Sequence, residues 1–320
     1  MLENELFDLI IVGGGPCGLT AGIYAMRAAL KTVLIESSAP GGQIAITKGV
    51  ENYPGFDEIP GLELSDKILK HAQSYGLKVT QQEVVALDPG PDFHAVRLAG
   101  GEVLRAHAVI LAVGGRALKL GIPGEIEYFG RGVSYCATCD GFFFKDATVA
   151  VVGGGDSALE EAIYLSKIAG KVYLLHRRDT FRASKIMQRH LLAEPKIEVV
   201  FNTIVTAIKG NGDGVTGVDV LNTQTDARQE LAAEGVFIFV GFSPNNHLVP
   251  ALVEINPRGY VITDEKCETR IPGLFVAGDL RQKYANQIII AAADGCTAAL
   301  AAARYVELKK AGISYNEVVQ

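Results

Sequence analysis

Residues 7–36 read FDLIIVGGGPCGLTAGIYAMRAALKTVLIE. An apolar run of strand length, Phe7 to Val12, leads through a glycine turn into the Ala-rich stretch Leu19 to Leu30, of helical length, and then into a second run, Thr32 to Ile35. That order is a β-α-β unit, and it makes the chain α/β. The turn is Gly13-x-Gly15-Pro16-x-Gly18, and Glu36 ends the second strand 18 residues after Gly18. Glycines at this spacing allow a tight turn, close approach of the backbone to a pyrophosphate, and close packing of helix on strand. The helix N-terminus supplies N–H groups and positive dipole to the phosphates, and the acid accepts from an adenosine ribose. A lone G-x-G-x-x-G is weak, but strand, helix and acid in place together specify a dinucleotide site. Residues 9–26 carry no charge and are long enough to raise the question of a membrane span. Gly13 to Pro16 interrupt the run, and strand, turn and helix account for it.

The same signature returns as Thr148 to Val152, Asp156 to Ala169 and Lys171 to Leu175. Its turn is Gly153-x-Gly155-Asp156-Ser157-Ala158, starting 140 residues after Gly13. The position 18 residues after Ala158 holds no acid but His176, followed by Arg177, Arg178 and Arg182. A carboxylate there would repel a 2′-phosphate, whereas guanidiniums bind one bidentately, so this site is expected to prefer NADP. The competing reading is a solvated basic face. Two different dinucleotide sites in one chain suggest a flavin held permanently and a nicotinamide that comes and goes. The run IPGLFVAGD, Ile271 to Asp279, reads as a short strand ending in Gly278-Asp279, where a carboxylate can reach a ribityl hydroxyl; alone it could equally be a turn aspartate.

Glycine- and proline-rich segments, GGRALKLGIPG (114–124) and GFSPNN (241–246), bracket the second unit. The expected architecture is two Rossmann-like, three-layer domains. One is discontinuous, residues 1–117 and 246–320, and the other, 118–245, is inserted into it. The turn-rich KGNGDGVTG (209–217) reads as a hairpin tip. A length of 320 residues agrees with two domains. Thirty basic against 36 acidic residues leave a net charge of −6, which disfavours nucleic acid as a partner. The start MLENELFD has no positive n-region, so the cytoplasm is the expected location and no membrane association is expected.

Of five cysteines, only Cys136 and Cys139 have C-x-x-C spacing. Structural zinc wants four ligands in two close pairs, and Cys17, Cys267 and Cys296 form no second pair, so redox chemistry is favoured and no metal is expected. A dithiol exchanges with another disulfide through a mixed disulfide when one thiol is accessible and ionisable. Asp140, directly after the pair, can give a proton to the leaving thiolate, or it can be a helix cap.

GVSYCATCDGFF (132–143), VVGGGDSALEE (151–161), HRRDTFRA (176–183) and GGQIAITKGVENYP (41–54) together resemble the low-molecular-weight, bacterial-type thioredoxin reductases, and the resemblance covers essentially the whole chain. It implies an FAD domain in two pieces, an inserted NADPH domain carrying the dithiol, and a homodimer. It implies that Cys139 faces the flavin, that Cys136 attacks the disulfide of thioredoxin, and that Asp140 is the acid. Gly42, Gln43, Asn52 and Asp279 would line the FAD, with Gln287 and Ile288, opening an Ala-rich helix, near the flavin ring. Phe142 and Phe143 with Arg131 would meet thioredoxin, and the inserted domain would swing on its two connections. Asn286 departs from the pattern, since family members often carry an arginine there that contacts flavin or nicotinamide. An alkyl hydroperoxide reductase flavoprotein would need an additional N-terminal dithiol domain, and the first strand at Phe7 leaves no room for one. A ferredoxin–NADP reductase would lack the dithiol. A non-catalytic nucleotide sensor would be colourless, or yellow and not bleached by NADPH.

Overall fold

The computed structural model describes residues 5–47 and 49–313. Part of the acidic start and residue 48 of the GGQIAITKGVENYP motif lie outside the described residues. Contacts divide the chain into two compact units, residues 1–116 with 243–320, and residues 117–242. The two crossings between them, Gly115–Ala117 and Phe242–Pro244, pair as a two-stranded ribbon.

The first unit is built on a sheet of seven strands among the described residues. Lys78–Gln81, Thr32–Glu36, Leu6–Val12 and Val103–Leu111 run parallel, followed by antiparallel His94–Leu98 and Val84–Asp88. Val103–Leu111 changes neighbour along its length. Its first half pairs with His94–Leu98, while Val109, Ile110 and Leu111 pair in parallel with Leu274–Val276. The chain after the second crossing therefore completes the sheet begun before the first. Leu6–Val12, Thr32–Glu36 and the second half of Val103–Leu111 are buried on both faces, which is why they read as continuous apolar runs, whereas His94–Leu98 alternates. Leu9, Ile11, Leu34 and Phe275 pack on one face, and Ile10, Val12, Val33 and Val276 on the other.

The first face is covered by the helices Pro16–Arg27 and Ile288–Lys310. The latter, 23 residues long, is apolar enough to cross a membrane by length and composition. Its Ala291, Ala298, Ala299 and Ala302 are instead part of the core, alongside Cys17 and Ala21 of the shorter helix. The small residues let the two backbones approach so closely that a Cβ at Gly295 would overlap the Cys17 carbonyl. One side of the helix is thus part of the core, while Ile289 and Leu300 on it are exposed.

The second unit has a parallel sheet in the order Ile197–Val200, Lys171–Leu175, Thr148–Gly153, Gly235–Phe239, Val133–Ser134. The helices Asp156–Ser166 and Lys185–Leu192 supply Leu159, Leu165 and Leu191 to a core with Val149, Val151 and Phe237. On the opposite face, Val218, Val220 and Leu231 of an antiparallel meander, Thr203–Gly210, Val215–Asn222 and Arg228–Ala232, pack with Ala150, Val152 and Ile238. These are three layers around a dinucleotide-type sheet. The turn between the first two meander strands closes where the run of glycines predicts a hairpin, with Asn211 Oδ1 accepting from the Asp213 and Gly214 N–H groups at 2.9 and 3.1 Å.

Candidate active site

In the first unit the strand Leu6–Val12 ends at Gly13, whose φ of 108° excludes most side chains. A Cβ at Gly18 would overlap the Gly13 carbonyl, so helix and strand meet at the glycine spacing alone. Gly15 caps the Pro16–Arg27 helix with no side-chain hydrogen bond, and Pro16 opens it. Such an end leaves N–H donors without intrahelical partners and is suited to an anion. Glu36 lies across the turn. Its Oε2 accepts from the Gly14 N–H at 2.6 Å and its Oε1 from the Ser38 N–H at 2.9 Å.

The loop bearing Gly42 and Gln43 is brought to the same turn. The Gly41 N–H donates to the Gly14 carbonyl at 2.8 Å, and a Cβ at Gly42 would stand 3.1 Å from the Gly15 Cα. Gly278, at φ 72°, packs on Cys17 in the first turn of the helix, which places Asp279 beside it. Asn52 and Gln287, 235 positions apart, meet as the Asn52 amide donates to Gln287 Oε1 at 3.3 Å. Gln287 is the N-cap residue of the helix that begins at Ile288, and Asn286 before it is exposed. An uncapped helix end, a held carboxylate and these converging polar groups fit the pyrophosphate, ribose and ribityl chain of FAD.

In the second unit Gly153 ends a strand, Gly155 caps the Asp156–Ser166 helix with open space around it, and Ala158 is buried. Asp156 Oδ1 accepts from the Ser184 N–H at 2.9 Å, and the Arg182 N–H donates to the Gly154 carbonyl at 2.9 Å. Ser157 is exposed on the first turn of the helix. His176 is buried, packed edge-on to where a Gly154 side chain would be, near Phe181 and Phe201, with Nε2 3.0 Å from the Thr180 carbonyl. Its place is structural: it fastens the basic loop to the turn. Arg177, Arg178 and Arg182 are exposed and form no ion pair among the described residues. A loop that carries exposed guanidiniums and is fastened by its backbone to the turn at an open helix N-terminus fits the phosphates of NADPH.

Cys136 and Cys139 are joined in a disulfide, Cys136 preceding the short helix Ala137–Asp140. Asp140 Oδ2 accepts from the Ser134 hydroxyl at 2.5 Å. Burial pushes the Asp140 carboxyl above its ordinary range, and the Ser134 hydrogen bond opposes that only in part. Asp140 ends its helix and stands at the N-cap position of the next turn, but its side chain makes no capping hydrogen bond there, and a carboxyl inclined to keep its proton suits an acid. The next residues form a 3₁₀ turn, Gly141–Phe144. Phe144 turns inward, edge-to-face on Phe237, whereas Phe142 and Phe143 remain 64% and 49% exposed. Arg131 is exposed, tied to the carbonyls of Glu127 and Gly212. Gly141 packs against Tyr164 and Leu165, at the far end of the helix that begins beside Gly155.

Two features escape sequence reasoning. Glu125 is buried and accepts from the Leu120 and Gly121 N–H groups at 2.9 and 2.6 Å and from the Tyr135 hydroxyl at 2.9 Å, linking the first connection to the residue before Cys136. Asp294, inside the long Ala-rich helix, is also buried. Its only signal is an acid in an otherwise apolar stretch, IIIAAADGCTAAL.

Comparison with known proteins agrees with this geometry. Residues 7–295 match the family model described as pyridine nucleotide-disulphide oxidoreductase. The chain is 43% identical over 307 residues to a thioredoxin reductase of Bacillus subtilis (strain 168), covering 96% of this chain and 97% of that protein. It is 42% identical over 309 residues to a thioredoxin reductase of Helicobacter pylori (strain J99 / ATCC 700824), covering 94% of this chain and 99% of the relative. The crystal structure of thioredoxin reductase from Streptococcus pyogenes MGAS5005 superposes with a TM-score of 0.91 at 42% identity, over 95% of this chain and 99% of that one. With two nucleotide turns, a dithiol and this similarity over nearly its full length, the chain belongs to the pyridine nucleotide-disulphide oxidoreductase family, among the thioredoxin reductases.

Proposed function

We propose that this chain is an NADPH-dependent thioredoxin-disulfide reductase that carries FAD. The observation that carries the reading is the Cys136–Cys139 disulfide with Asp140 beside it, in the unit that also bears the Arg-flanked nucleotide turn. Bound here, NADPH would supply a hydride and FAD would relay its electron pair to the Cys136–Cys139 disulfide. Gly13, Gly15, Pro16, Gly18, Glu36, Gly42, Gln43, Asn52, Gly278 and Asp279 hold the FAD, with Gln287 and Ile288 at its ring. Gly153, Gly155, Asp156, Ser157 and Ala158 hold the NADPH pyrophosphate and ribose, and Arg177, Arg178 and Arg182 its 2′-phosphate, with His176 setting the loop.

Once the pair is reduced, the Cys136 thiolate attacks the disulfide of thioredoxin and forms a mixed disulfide, and Asp140 protonates the thiolate that leaves. Cys139 then attacks Cys136, releasing reduced thioredoxin and restoring the intramolecular disulfide. Phe142, Phe143 and Arg131 form the surface that thioredoxin meets, aromatic and arginine anchors being common at interfaces. The inserted domain, residues 118–245, turns on its two connections, so that nicotinamide and dithiol reach the flavin alternately. The enzyme acts as a homodimer in the cytoplasm.

The test is Cys139→Ser. The purified variant is expected to keep its yellow colour and to be bleached by NADPH under anaerobic conditions, while reducing no thioredoxin. Normal turnover of thioredoxin by this variant would overturn the assignment.

A further inference from the structure

Beside the first nucleotide turn lies a group of buried charges that neither the turn nor the dithiol accounts for. Asp294 Oδ2 accepts from the Gly278 N–H at 3.1 Å, and its Oδ1 meets Arg281 Nη1 at 2.9 Å. Arg281 continues outward, donating from Nε to Thr263 Oγ1 at 2.7 Å and from Nη2 to the Asp264 carbonyl at 3.1 Å. Lys283, whose side chain is only 5% exposed, places its ammonium 2.8 Å from Asp279 Oδ1 and 3.5 Å from Asp294 Oδ2. Neither that ammonium nor Asp279 Oδ1 makes an aligned hydrogen bond among the described residues. Cys17, in the first turn of the nucleotide-binding helix, is close enough to feel both Asp294 and Lys283.

Taking charges out of water costs several kcal/mol per ion, and an apolar replacement of similar volume is often more stable. Two cations and two carboxylates alternating under one turn are therefore poorly explained by stability alone. Their geometry has a directional consequence. Asp294 fixes the backbone of Gly278, Gly278 seats the turn on Cys17, and Lys283 engages one oxygen of Asp279, the more exposed of the two carboxylates.

We propose that Lys283 and Asp294 are positioning residues for the flavin: they hold the Gly278–Asp279 turn on the nucleotide-binding helix and orient the Asp279 carboxylate toward the cofactor. This rests on the FAD reading of the site and assigns residues to it that sequence spacing does not reach.

The experiment measures the FAD dissociation constant of the purified holoenzyme, from the fluorescence of FAD released on serial dilution. The proteins compared are wild type, Lys283→Met, Lys283→Arg, Asp279→Asn and the double variant D279N/K283M, with far-UV circular dichroism recording folding. Lys283→Met is expected to weaken FAD about tenfold, as loss of an outer-shell partner does at other ligand sites. Lys283→Arg should recover most of that loss. Because Lys283 acts through Asp279, the double variant should bind FAD no more weakly than Asp279→Asn alone. Additive weakening in the double variant, or wild-type affinity in a folded Lys283→Met, would overturn the proposal. If Lys283→Met does not fold, Asp294→Asn takes its place in the cycle against Asp279→Asn, and additive weakening or wild-type affinity overturns the proposal there too. A wild-type protein that binds no FAD overturns the functional reading and this inference with it, whereas FAD-bound wild type beside an unaffected variant overturns this inference alone.

Discussion

Replacing Arg177 and Arg178 together with glutamine separates recognition of the 2′-phosphate from everything else the second nucleotide site does. The loop that carries them is held by the Arg182 N–H on the Gly154 carbonyl, the Ser184 N–H on Asp156 and the buried His176 ring, none of which uses either guanidinium. The double variant should therefore fold with the loop in place. Each exposed charge-assisted hydrogen bond is worth about 1–1.5 kcal/mol net, so losing two costs about 2–3 kcal/mol. That is roughly 30- to 150-fold in kcat/KM with NADPH. NADH has no 2′-phosphate, and its kcat/KM should change by no more than about twofold. The assay is steady-state thioredoxin reduction with each cofactor at fixed low ionic strength, repeated at higher salt. Salt should weaken NADPH use by the wild type more than by the variant, because the lost contacts are the screened ones. Equal losses with both cofactors, or an unchanged preference for NADPH, would refute the assignment of these arginines to the phosphate.

His94 is buried, and desolvation, helped by nearby Lys309 and opposed by a hydrogen bond to Pro272, lowers its pKa to about 4. The unfolded chain therefore binds the extra proton first, and stability should fall as pH drops from about 6.5 to about 4, by at most about 3 kcal/mol. Urea unfolding midpoints across that range should show the slope, and His94→Gln should flatten it; an identical slope in both proteins counts against this origin. Phe143→Ala should raise the KM for thioredoxin at least tenfold while NADPH still bleaches the flavin at the wild-type rate, and an unchanged KM would remove Phe143 from the contact surface. Cross-linking the two domains in a single orientation should stop turnover and leave one half-reaction intact, whereas undiminished thioredoxin reduction by the locked protein would refute the swing of the inserted domain.

How much of the fold and the site is legible in the chain follows the range of the interactions involved. The two nucleotide turns are legible because their geometry is set within about 30 residues: glycine spacing, a strand before and a helix after. The strand Leu274–Val276 is legible for a related reason, an apolar run ending in Gly278-Asp279. The Asn52–Gln287 contact is not implied by any spacing, since those residues meet only because Leu274–Val276 joins the sheet formed by the first third of the chain. Which of the three aromatics Phe142 to Phe144 turns inward is set by a 3₁₀ turn, with three residues per turn, that directs Phe144 onto Phe237. His176 stands where a ribose-reading residue is expected, yet the absent side chain of Gly154 draws its ring into the interior. Asp294 is marked only as an acid in an apolar stretch and Lys283 by nothing, because their pairing depends on a loop folding back onto its own following helix.

The placement of the dithiol within its own unit bears directly on the mechanism. Gly155, at the N-terminal end, and Tyr164, against which the dithiol turn packs, are separated along one helix. At 1.5 Å per residue that separation is about 14 Å, and a helix does not shorten it. The end proposed to receive the nicotinamide cofactor and the end that carries Cys136 and Cys139 are thus held apart by a single rigid element with a packed core on one side. In the proposed reaction a hydride donor and a disulfide acceptor must each come within contact distance of the same flavin ring. The alternative to a swing is that both groups reach the flavin from opposite faces. With both carried on one body, the proposed swing of residues 118–245 would bring them to the flavin in turn, the backbone yielding at its connections rather than inside it. Glu125 supports that division. By accepting from Leu120, Gly121 and Tyr135 it welds the far end of the first connection to the dithiol segment, leaving Gly114 and Gly115 on one crossing and Gly241 on the other as the places where dihedral change is cheapest.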